Sequence, residues 1–337
     1  MDTPICSVCI ANYNGMEVID DCLRSVLAQA GSIQIEILVH DDASGDGSVA
    51  HIRDNYPQVR LIVSESNVGF CVANNRMAAE AKGGYLLLLN NDAALYPDAL
   101  QTLLLEANRA DRPVILGLPQ YDAGSGELVD IGSLFDPFLN PVPNLNPNRN
   151  EVGMVIGACL WVSRELWNEL GGFPEWFDSI GEDLYLCCRG RLAGYAVRVL
   201  AVSGYRHWQG KSFGGNRVVE NRLATTFRRR ILSERNKCFV MVLTYPAPLL
   251  QLIFPIHLVL LLVEGFVLSL RKKEWRVFRD IYWACPQSLW RERKNLFRLR
   301  CQIQAGRAIS WRTFIDPFTW FPHKLRLLLR YGIPEMR

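Results

Sequence analysis

The sequence predicts an α/β protein: a mainly parallel sheet flanked by helices, followed by an apolar helical region rich in cations. Three observations carry that expectation. Up to about residue 120, short apolar runs alternate with segments whose apolar positions recur at helical spacing. The runs are nearly continuous in Val, Ile and Leu, as in strands covered on both faces. Charge then divides the chain, with 15 Lys and Arg against 27 Asp and Glu in residues 1–221, and 22 against 7 in residues 222–337. The formal +3 is therefore a −12 part joined to a +15 part. Disorder is excluded, because 49% hydrophobic residues in a chain of 337 can offset the entropy of folding.

The elements follow in order. A strand is expected at residues 5–11 and a helix at 17–30. Strand 35–40 leads to helix 46–56, strand 59–63 to helix 70–81, and strand 85–89 to helix 97–110. A fifth strand is expected at 114–118. Asp46 and Asp98 stand where helix caps belong. Residues 135–150 then hold four Pro and five Asn, which excludes a helix or a central strand. Two readings stay open there, a surface loop or a mobile flap over the ligand-binding face. Regular structure resumes at 152–163, with helices near 164–170 and 183–193 and a strand at 196–202.

Parallel sheets bind ligands beyond the carboxyl ends of their strands, so the connections decide the chemistry. Asn12-Tyr13-Asn14-Gly15 after the first strand is not a G-x-G-x-x-G dinucleotide turn. Gly210-Lys211-Ser212 ends like a P-loop, but the preceding Gly204 is one residue too far away. Cys6 and Cys9 form C-x-x-C on a strand, where residues three apart point to opposite faces, which argues against a shared metal or redox site. The ten cysteines are scattered, the start lacks the charged and apolar regions of a signal peptide, and no N-x-[ST] sequon occurs. A reducing, cytosolic setting is the expectation.

Three acidic clusters fall at strand ends or connections: Asp41-Asp42, Asp92, and Glu182-Asp183. A run as apolar as Tyr85-Leu86-Leu87-Leu88-Leu89 is deeply buried and delivers Asn90, Asn91 and Asp92 to the ligand-binding edge. Carboxylate and amide oxygens there suit a hard cation, Mg²⁺ or Mn²⁺, completed by substrate phosphates.

The segments SVCIANYNG, ILVHDDASGDGS, NVGFCVANNRMAAEAKGGYLLLLNND, GGFPEWFDSIGEDLYLCCRGRLAGY and YRHWQGKSF, in this order across about residues 5–213, resemble family 2 glycosyltransferases. The resemblance implies the GT-A fold of nucleotide-diphospho-sugar transferases and hexosyl transfer with inversion at the anomeric carbon. Within the family, the NVGF…NND block looks most like the rhamnosyltransferases of bacterial surface polysaccharide and O-antigen synthesis. Residue by residue, it implies that Asp42 reads the nucleobase beside the turn Ala11, Asn12, Tyr13 and Asn14. Asn67, Gly69, Phe70 and Asn74 join the nucleotide-sugar site. Asn90-Asn91-Asp92 stands where the family has D-x-D, so Asp92 is the implied metal contact; Asn90 departs from the pattern at its first position. His207 matches a histidine that completes the metal or diphosphate site. Asp183, with Glu182 beside it, stands where the catalytic base does, and a carboxylate is the group that chemistry needs to take the acceptor hydroxyl's proton. A neighbouring Glu182 would raise the basicity of the pair. Trp176, Gly157 and Ala158 are the implied acceptor contacts, and Phe177 is either part of an aromatic wall or core.

The basic part contains the longest apolar run, residues 248–270, interrupted by Pro255, His257 and Glu264. Arg228-Arg229-Arg230 precedes it and Arg271-Lys272-Lys273 follows. Cations on both flanks suit an element lying in one cytoplasmic leaflet. Trp, Phe and Arg interleave beyond it, as at an anionic lipid interface. The run speaks against nucleic acid as the partner of this charge; a helical oligomerisation domain giving a homo-oligomer stays open. Gln287-Ser288-Leu289-Trp290-Arg291 reverses the end of the Q-x-x-R-W motif of processive synthases, which favours single additions.

The expectation is a catalytic domain over 1–221 and a membrane-association or oligomerisation region over 222–337. With Mg²⁺ or Mn²⁺, it would move L-rhamnose from dTDP-rhamnose, or a hexose from a UDP donor, to a polyprenyl-diphosphate-linked glycan. The setting would be the cytoplasmic face of the inner membrane. A GT-A-fold nucleotidyltransferase would need a basic loop near the first strand, and ANYNGMEVID has no Lys or Arg. The incomplete D-x-D keeps a non-catalytic nucleotide-sugar scaffold in view.

Overall fold

A computed structural model describes residues 3–208, 217–219, 222–332 and 335–336. These residues form two compact units, one from 1–133, 143–187 and 195–212, the other from 134–142, 188–194 and 213–337. Residue 221, the expected boundary, and Gly210-Lys211-Ser212 lie outside the described residues.

In the first unit the alternation of the sequence becomes strand β1 (Cys6–Asn12), helix α1 (Ile19–Leu27), β2 (Ile35–Asp41), α2 (Ser48–Asn55), β3 (Arg60–Val63), α3 (Phe70–Glu80) and β4 (Tyr85–Asn90). After it come β5 (Ala93–Leu95), α4 (Ala99–Arg109), β6 (Val114–Gly117), β7 (Gln120–Asp122) and β8 (Leu128–Asp130). A short ribbon, β9 (Ser133–Phe135) with β10 (Pro141–Pro143), belongs for the most part to the second unit, and the first resumes with β11 (Cys159–Ser163) and α5 (Arg164–Leu170). The last elements here are α6 (Glu182–Leu192), β12 (Ala196–Val199) and β13 (Tyr205–His207).

Seven strands make the main sheet in the order β12-β6-β11-β4-β1-β2-β3. All neighbours are parallel except β11, which runs antiparallel to β4 and β6. A parallel return needs a crossover helix, and none separates β6 from β11, so the strand enters from the other end. Leu86, Leu87 and Leu88 of β4 are fully buried, and Trp161 of β11 packs opposite Leu87 and stacks on Tyr85 at 4.9 Å. Each such side chain contributes about 1.5–3 kcal/mol through burial. Cys6 and Cys9, both fully buried on β1, are free thiols, as are the other eight cysteines. A second sheet, β5-β13-β7-β8, carries the end of the unit.

Two local expectations change. Gly47, not Asp46, occupies the cap position of α2, and Asp46 accepts from the Ser48 N–H at 3.0 Å from just outside it; Asp98 stands at the cap of α4 but accepts from the Ser203 hydroxyl and makes no cap bond. The segment 135–150 is neither a surface loop nor a flap throughout, since Phe135, Asp136, Leu139 and Val142 are buried. Its polar groups make that possible. The Asp136 carboxylate accepts from the backbone of Phe138 and Asn140, the Asn140 amide and the His323 N–H, all within 2.9 Å. Side chains thus replace the missing ladder, as a buried backbone requires.

The second unit is helical: α7 (Phe227–Thr244), α8 (Ala247–Lys272), a π-helical turn at Val277–Tyr282, α9 (Ala284–Arg291), α10 (Arg293–Ala305), α11 (Trp311–Phe314) and α12 (His323–Tyr331). Its core gathers Cys238, Leu261, Leu268, Ile281 and Tyr282.

Candidate active site

The carboxyl ends of β1, β2 and β4 stand level, because Asn12 is opposite Asp41 and Ala11 is opposite Asn90. Buried side chains tie these ends together. The Asn91 amide donates to Asn12 Oδ1 at 2.9 Å, and Asn12 donates to Asp41 Oδ2 at 2.7 Å. Asp41 also accepts from the Ser44 hydroxyl and N–H. Gly15 lies against this chain so closely that a Cβ there would sit 2.1 Å from Asn12 Oδ1. Asn14, at φ 47°, accepts from the Gly45 N–H and donates its own N–H to Ser44, while Tyr13 is half exposed beside it. The turn 11–14 is thereby fastened to the loop after β2.

Asp42 points the other way, as alternation along a strand end requires. Its two oxygens accept from the N–H groups of Val68 and Gly69 at 2.6 and 2.9 Å. The Asn67 amide reaches the Asp42 carbonyl at 3.4 Å. Gly69 has φ +88° and its missing Cβ would lie 2.7 Å from Asp178 Oδ1, so glycine is required twice over. Phe70 opens α3 and stacks on Phe173, and the buried Asn74 amide donates to the Phe70 carbonyl.

Beyond β4, Asp92 is buried and β5 pairs antiparallel with β13, setting Ala93 opposite His207. That register brings His207 Nε2 to 3.1 Å from Asp92 Oδ1, with the Asn90 amide 3.5 Å from the same nitrogen. His207 Nδ1 is buried without a hydrogen-bond partner among the described residues. With the proton on Nδ1, the Nε2 lone pair is left to face a cation. Cis ligands of an octahedral Mg²⁺ are about 3 Å apart, so the Asp92–His207 pair fits one edge of such a sphere. Among the described residues no three His, Cys, Asp or Glu side chains gather as a full cage. A cation here would take its other ligands from substrate oxygens and water.

Asp183 begins α6 next to the buried Glu182. Its Oδ2 accepts from the Gly157 N–H at 3.0 Å and its Oδ1 from the Leu184 N–H at 2.7 Å. The next residue, Ala158, accepts from the Asn90 N–H at 3.1 Å, so one short turn touches both acidic groups. A Cβ built on Gly157 lies 3.8 Å from Asp183 Oδ2 and 3.9 Å from the Phe70 ring. The Cys71 thiol is pushed up by burial and by Glu182, Asp178 and Asp183 around it. Ahead of α6 the backbone turns left-handed at Asp178, Ile180 and Gly181. For a β-branched residue such as Ile180 this is strained, a condition that clusters at working sites. Phe177 is fully buried against Tyr185 and is core, and Trp176 sits edge-on to it at 4.7 Å.

Residues 7–171 match the family described as Glycosyl transferase family 2. Over these residues, just under half of the chain, the sequence is similar to that family. An uncharacterized protein of Mycobacterium tuberculosis is 40% identical over 101 residues, 30% of this chain and 31% of that protein. The N-acetylglucosaminyl-diphospho-decaprenol L-rhamnosyltransferase of the same organism is 27% identical over 218 residues, 56% of this chain and 71% of that one. This chain thus spans about a third of the first relative and more of the second. The crystal structure of GalNAc-T7 with UDP, GalNAc and Mn²⁺ superposes with a TM-score of 0.61 at 15% identity, over 99% of this chain and 59% of that one. The fold is the GT-A fold expected from the sequence.

In this part of the chain many of the residues singled out by sequence fall on one rim of the main sheet. Asp42, 67–70, Phe70, Gly157 and Asp183 follow one another there, and Ala158, Asn90, His207 and Asp92 complete it. Asn12, Asn91 and Asn74 are occupied in holding the scaffold. Two contributors escaped sequence reasoning, Ser44 and Asp178, and Asp41 was named only as part of an acidic cluster, without its place in the Asn12 network. Gly15 was visible only as part of an Asn-Gly turn.

Proposed function

We propose that the protein transfers a sugar from a nucleoside-diphosphate donor to a hydroxyl of a lipid-linked glycan, with inversion. The observation that carries this is the Asp92–His207 pair on the same rim as Asp183, linked through the Gly157-Ala158 turn. In the reaction, the acceptor oxygen forms its bond to the anomeric carbon as Asp183 takes its proton, and the bond to the diphosphate oxygen breaks on the opposite face. Asp92, His207 and Asn90 would hold Mg²⁺ or Mn²⁺, which when bound neutralises charge on the departing diphosphate. Asp42 holds the loop 67–70 that lines the donor site, and the turn at 11–14 lies beside it.

The relative named for rhamnosyl transfer to a decaprenol-diphosphate-linked sugar supports L-rhamnose from dTDP-rhamnose, a lipid-linked acceptor and surface polysaccharide synthesis. The basic helical region over 222–337 would bring the protein to the cytoplasmic face of the plasma membrane. A UDP-hexose donor is the second reading, favoured by the UDP in the superposed GalNAc-T7 structure. The test is a product assay with dTDP-rhamnose and UDP-sugars, with and without Mn²⁺, on a polyprenyl-diphosphate GlcNAc acceptor. Metal-dependent rhamnosyl product is expected. Asp183→Asn with full turnover, beside an inactive Asp92→Ala, would overturn the base assignment.

A further inference from the structure

The second unit has an apolar face that its sequence conceals. Counted along the chain, His257 and Glu264 break the run 248–270 and make it a poor span. In space both turn inward. Glu264 meets Arg230 of α7, the Tyr282 hydroxyl and, at 2.9 Å, Lys324 of α12. His257 meets Cys238 of α7 at 3.5 Å. Gly265 lets Tyr282 come so close that a Cβ would clash at 2.3 Å. The opposite stripe, Leu252, Ile256, Val259, Val263, Phe266 and Leu270, advances by steps of four and three and is exposed throughout. No polar residue interrupts it.

α8 is 26 residues long, enough to cross a bilayer by length. Its neighbour forbids that. The two ties, Arg230 to Glu264 and Cys238 to His257, run α7 antiparallel along it. In 18 residues α7 carries Arg228, Arg229, Arg230, Glu234, Arg235 and Lys237. Arg230, Glu234 and Lys237 are paired within the unit, but Arg228, Arg229 and Arg235 add three more cations on the same helix, a load that does not enter hydrocarbon beside α8. One side of α8 therefore stays on protein and the other meets what lies outside.

The charge around the stripe identifies the occupant. Arg271, Lys272 and Lys273 end α8. Lys324 places α12 alongside, and no residue of that nine-residue helix is buried, with Leu325, Leu328 and Leu329 exposed. Against α12 an open groove of ≈ 490 Å³ is lined by Phe321, Leu329, Arg326 and Arg330. Two guanidiniums one helical turn apart over apolar side chains suit a phosphate headgroup above acyl chains. An apolar face with cationic edges fits the headgroup boundary of an anionic leaflet.

We infer that this unit seats in one leaflet of an anionic membrane, with α8 lying in the plane of the interface and Arg326 and Arg330 on lipid phosphate. This rests on the membrane association proposed above and adds its geometry. The experiment uses the full chain with vesicles of phosphatidylcholine alone or mixed with phosphatidylglycerol. Sedimentation with the mixed vesicles is expected. Val259→Glu with Val263→Glu lowers partitioning tenfold or more, with an unchanged circular dichroism spectrum. Arg326→Gln with Arg330→Gln lowers it about fivefold per charge, from about 1 kcal/mol for each basic residue, and carries the test if the first pair does not fold. Ala247→Cys and Lys273→Cys, each made in a Cys301→Ser chain whose other nine cysteines are buried, both react with an impermeant maleimide from the same side of sealed vesicles.

Labelling from opposite sides would overturn the in-plane geometry and leave membrane association standing. A chain that stays in the supernatant with both vesicles would remove both. A dimer that the stripe variants convert to monomer, with vesicle binding unchanged, would assign the face to a second copy and overturn the inference. None of these readouts depends on sugar transfer, so a failed transfer assay leaves them intact.

Discussion

The two units handle charge in opposite ways. In the first, two carboxylates, one after a strand and one at a helix start, are steadied by N–H groups: Asp42 by Val68 and Gly69, Asp183 by Gly157 and Leu184. In the second, charges neutralise one another inside. Glu234 is buried with Arg230, Lys237 and Lys324 around it. Burial alone would raise its pKa, but Lys237, Lys324 and Arg230 hold its carboxyl well below the usual range. Backbone N–H groups fix a carboxylate's direction without cancelling its charge, which suits chemistry. A ring of cations cancels it, which leaves the outer surface of α8 free to be apolar.

The largest effect that separates the two arrangements is on turnover. Asp183→Asn keeps the size of the side chain and removes the base, so kcat falls by about 10²–10⁴-fold. The amide oxygen can still accept from Gly157 but its NH2 cannot accept from Leu184, so stability falls by only about 1 kcal/mol, the net worth of one hydrogen bond. A fall in stability equal to the loss of activity would make Asp183 a scaffold residue. Glu234→Gln reverses the pattern. It leaves three cations beside a neutral amide, and breaking a buried ion pair costs about 3–5 kcal/mol. Denaturant unfolding measures it, and a loss below about 1 kcal/mol would mean that the cluster is wet.

Strand ends were legible because β1, β2 and β4 are predominantly apolar runs, broken only by residues such as Ser7 and Glu36, and the observed limits differ by a residue at most from those expected. The direction of β11 was not, since a strand's polarity depends on the connection before it rather than on its own residues. Asp41 and Asp42 look alike in sequence. Alternation along the strand sends one into the Asn12 network and the other to the loop 67–70. Proline and asparagine content correctly denied 135–150 regular helix, but composition does not reveal that Asp136 takes four hydrogen bonds and allows burial. His257 and Glu264 misled for a related reason: a linear count of polar residues ignores which side of the helix they occupy.

Asp130 offers a comparison within the first unit. It has the Gly132 backbone N–H and the Ser133 hydroxyl, the latter at 2.8 Å, yet burial outweighs both and pushes its pKa up to about 7. Its folded pKa lies above the unfolded value of about 3.9. The folded state therefore holds the extra proton between those limits, and the stability present below pH 4 is lost as pH rises to about 7. The slope is about 1.4 kcal/mol per pH unit. Asp130→Asn should flatten that part of the curve in urea titrations between pH 4.5 and 7. An unchanged slope would place the titration elsewhere.

The smallest effects test how tightly the carboxylates are steadied, using two glycines that differ only in surroundings. Gly69 has φ +88° and no room, with Asp178 Oδ1 2.7 Å from a built Cβ. Gly69→Ala pays for a backbone conformation, φ 88° and ψ 161°, that is essentially glycine's alone, about 1–3 kcal/mol, and pushes the loop off Asp42, so KM for the donor rises while kcat changes less. A Cβ on Gly157 meets Asp183 at ordinary contact distances of 3.7 and 3.8 Å. Gly157→Ala should stay within about 0.5 kcal/mol of the unaltered chain, yet narrow the space in front of the base and raise KM for the acceptor instead. The two variants therefore divide along the two substrates. If both raised the same KM, the loop 67–70 and the turn at 157 would serve one pocket, and the separation of donor and acceptor sides drawn from Asp42 and Asp183 would fail.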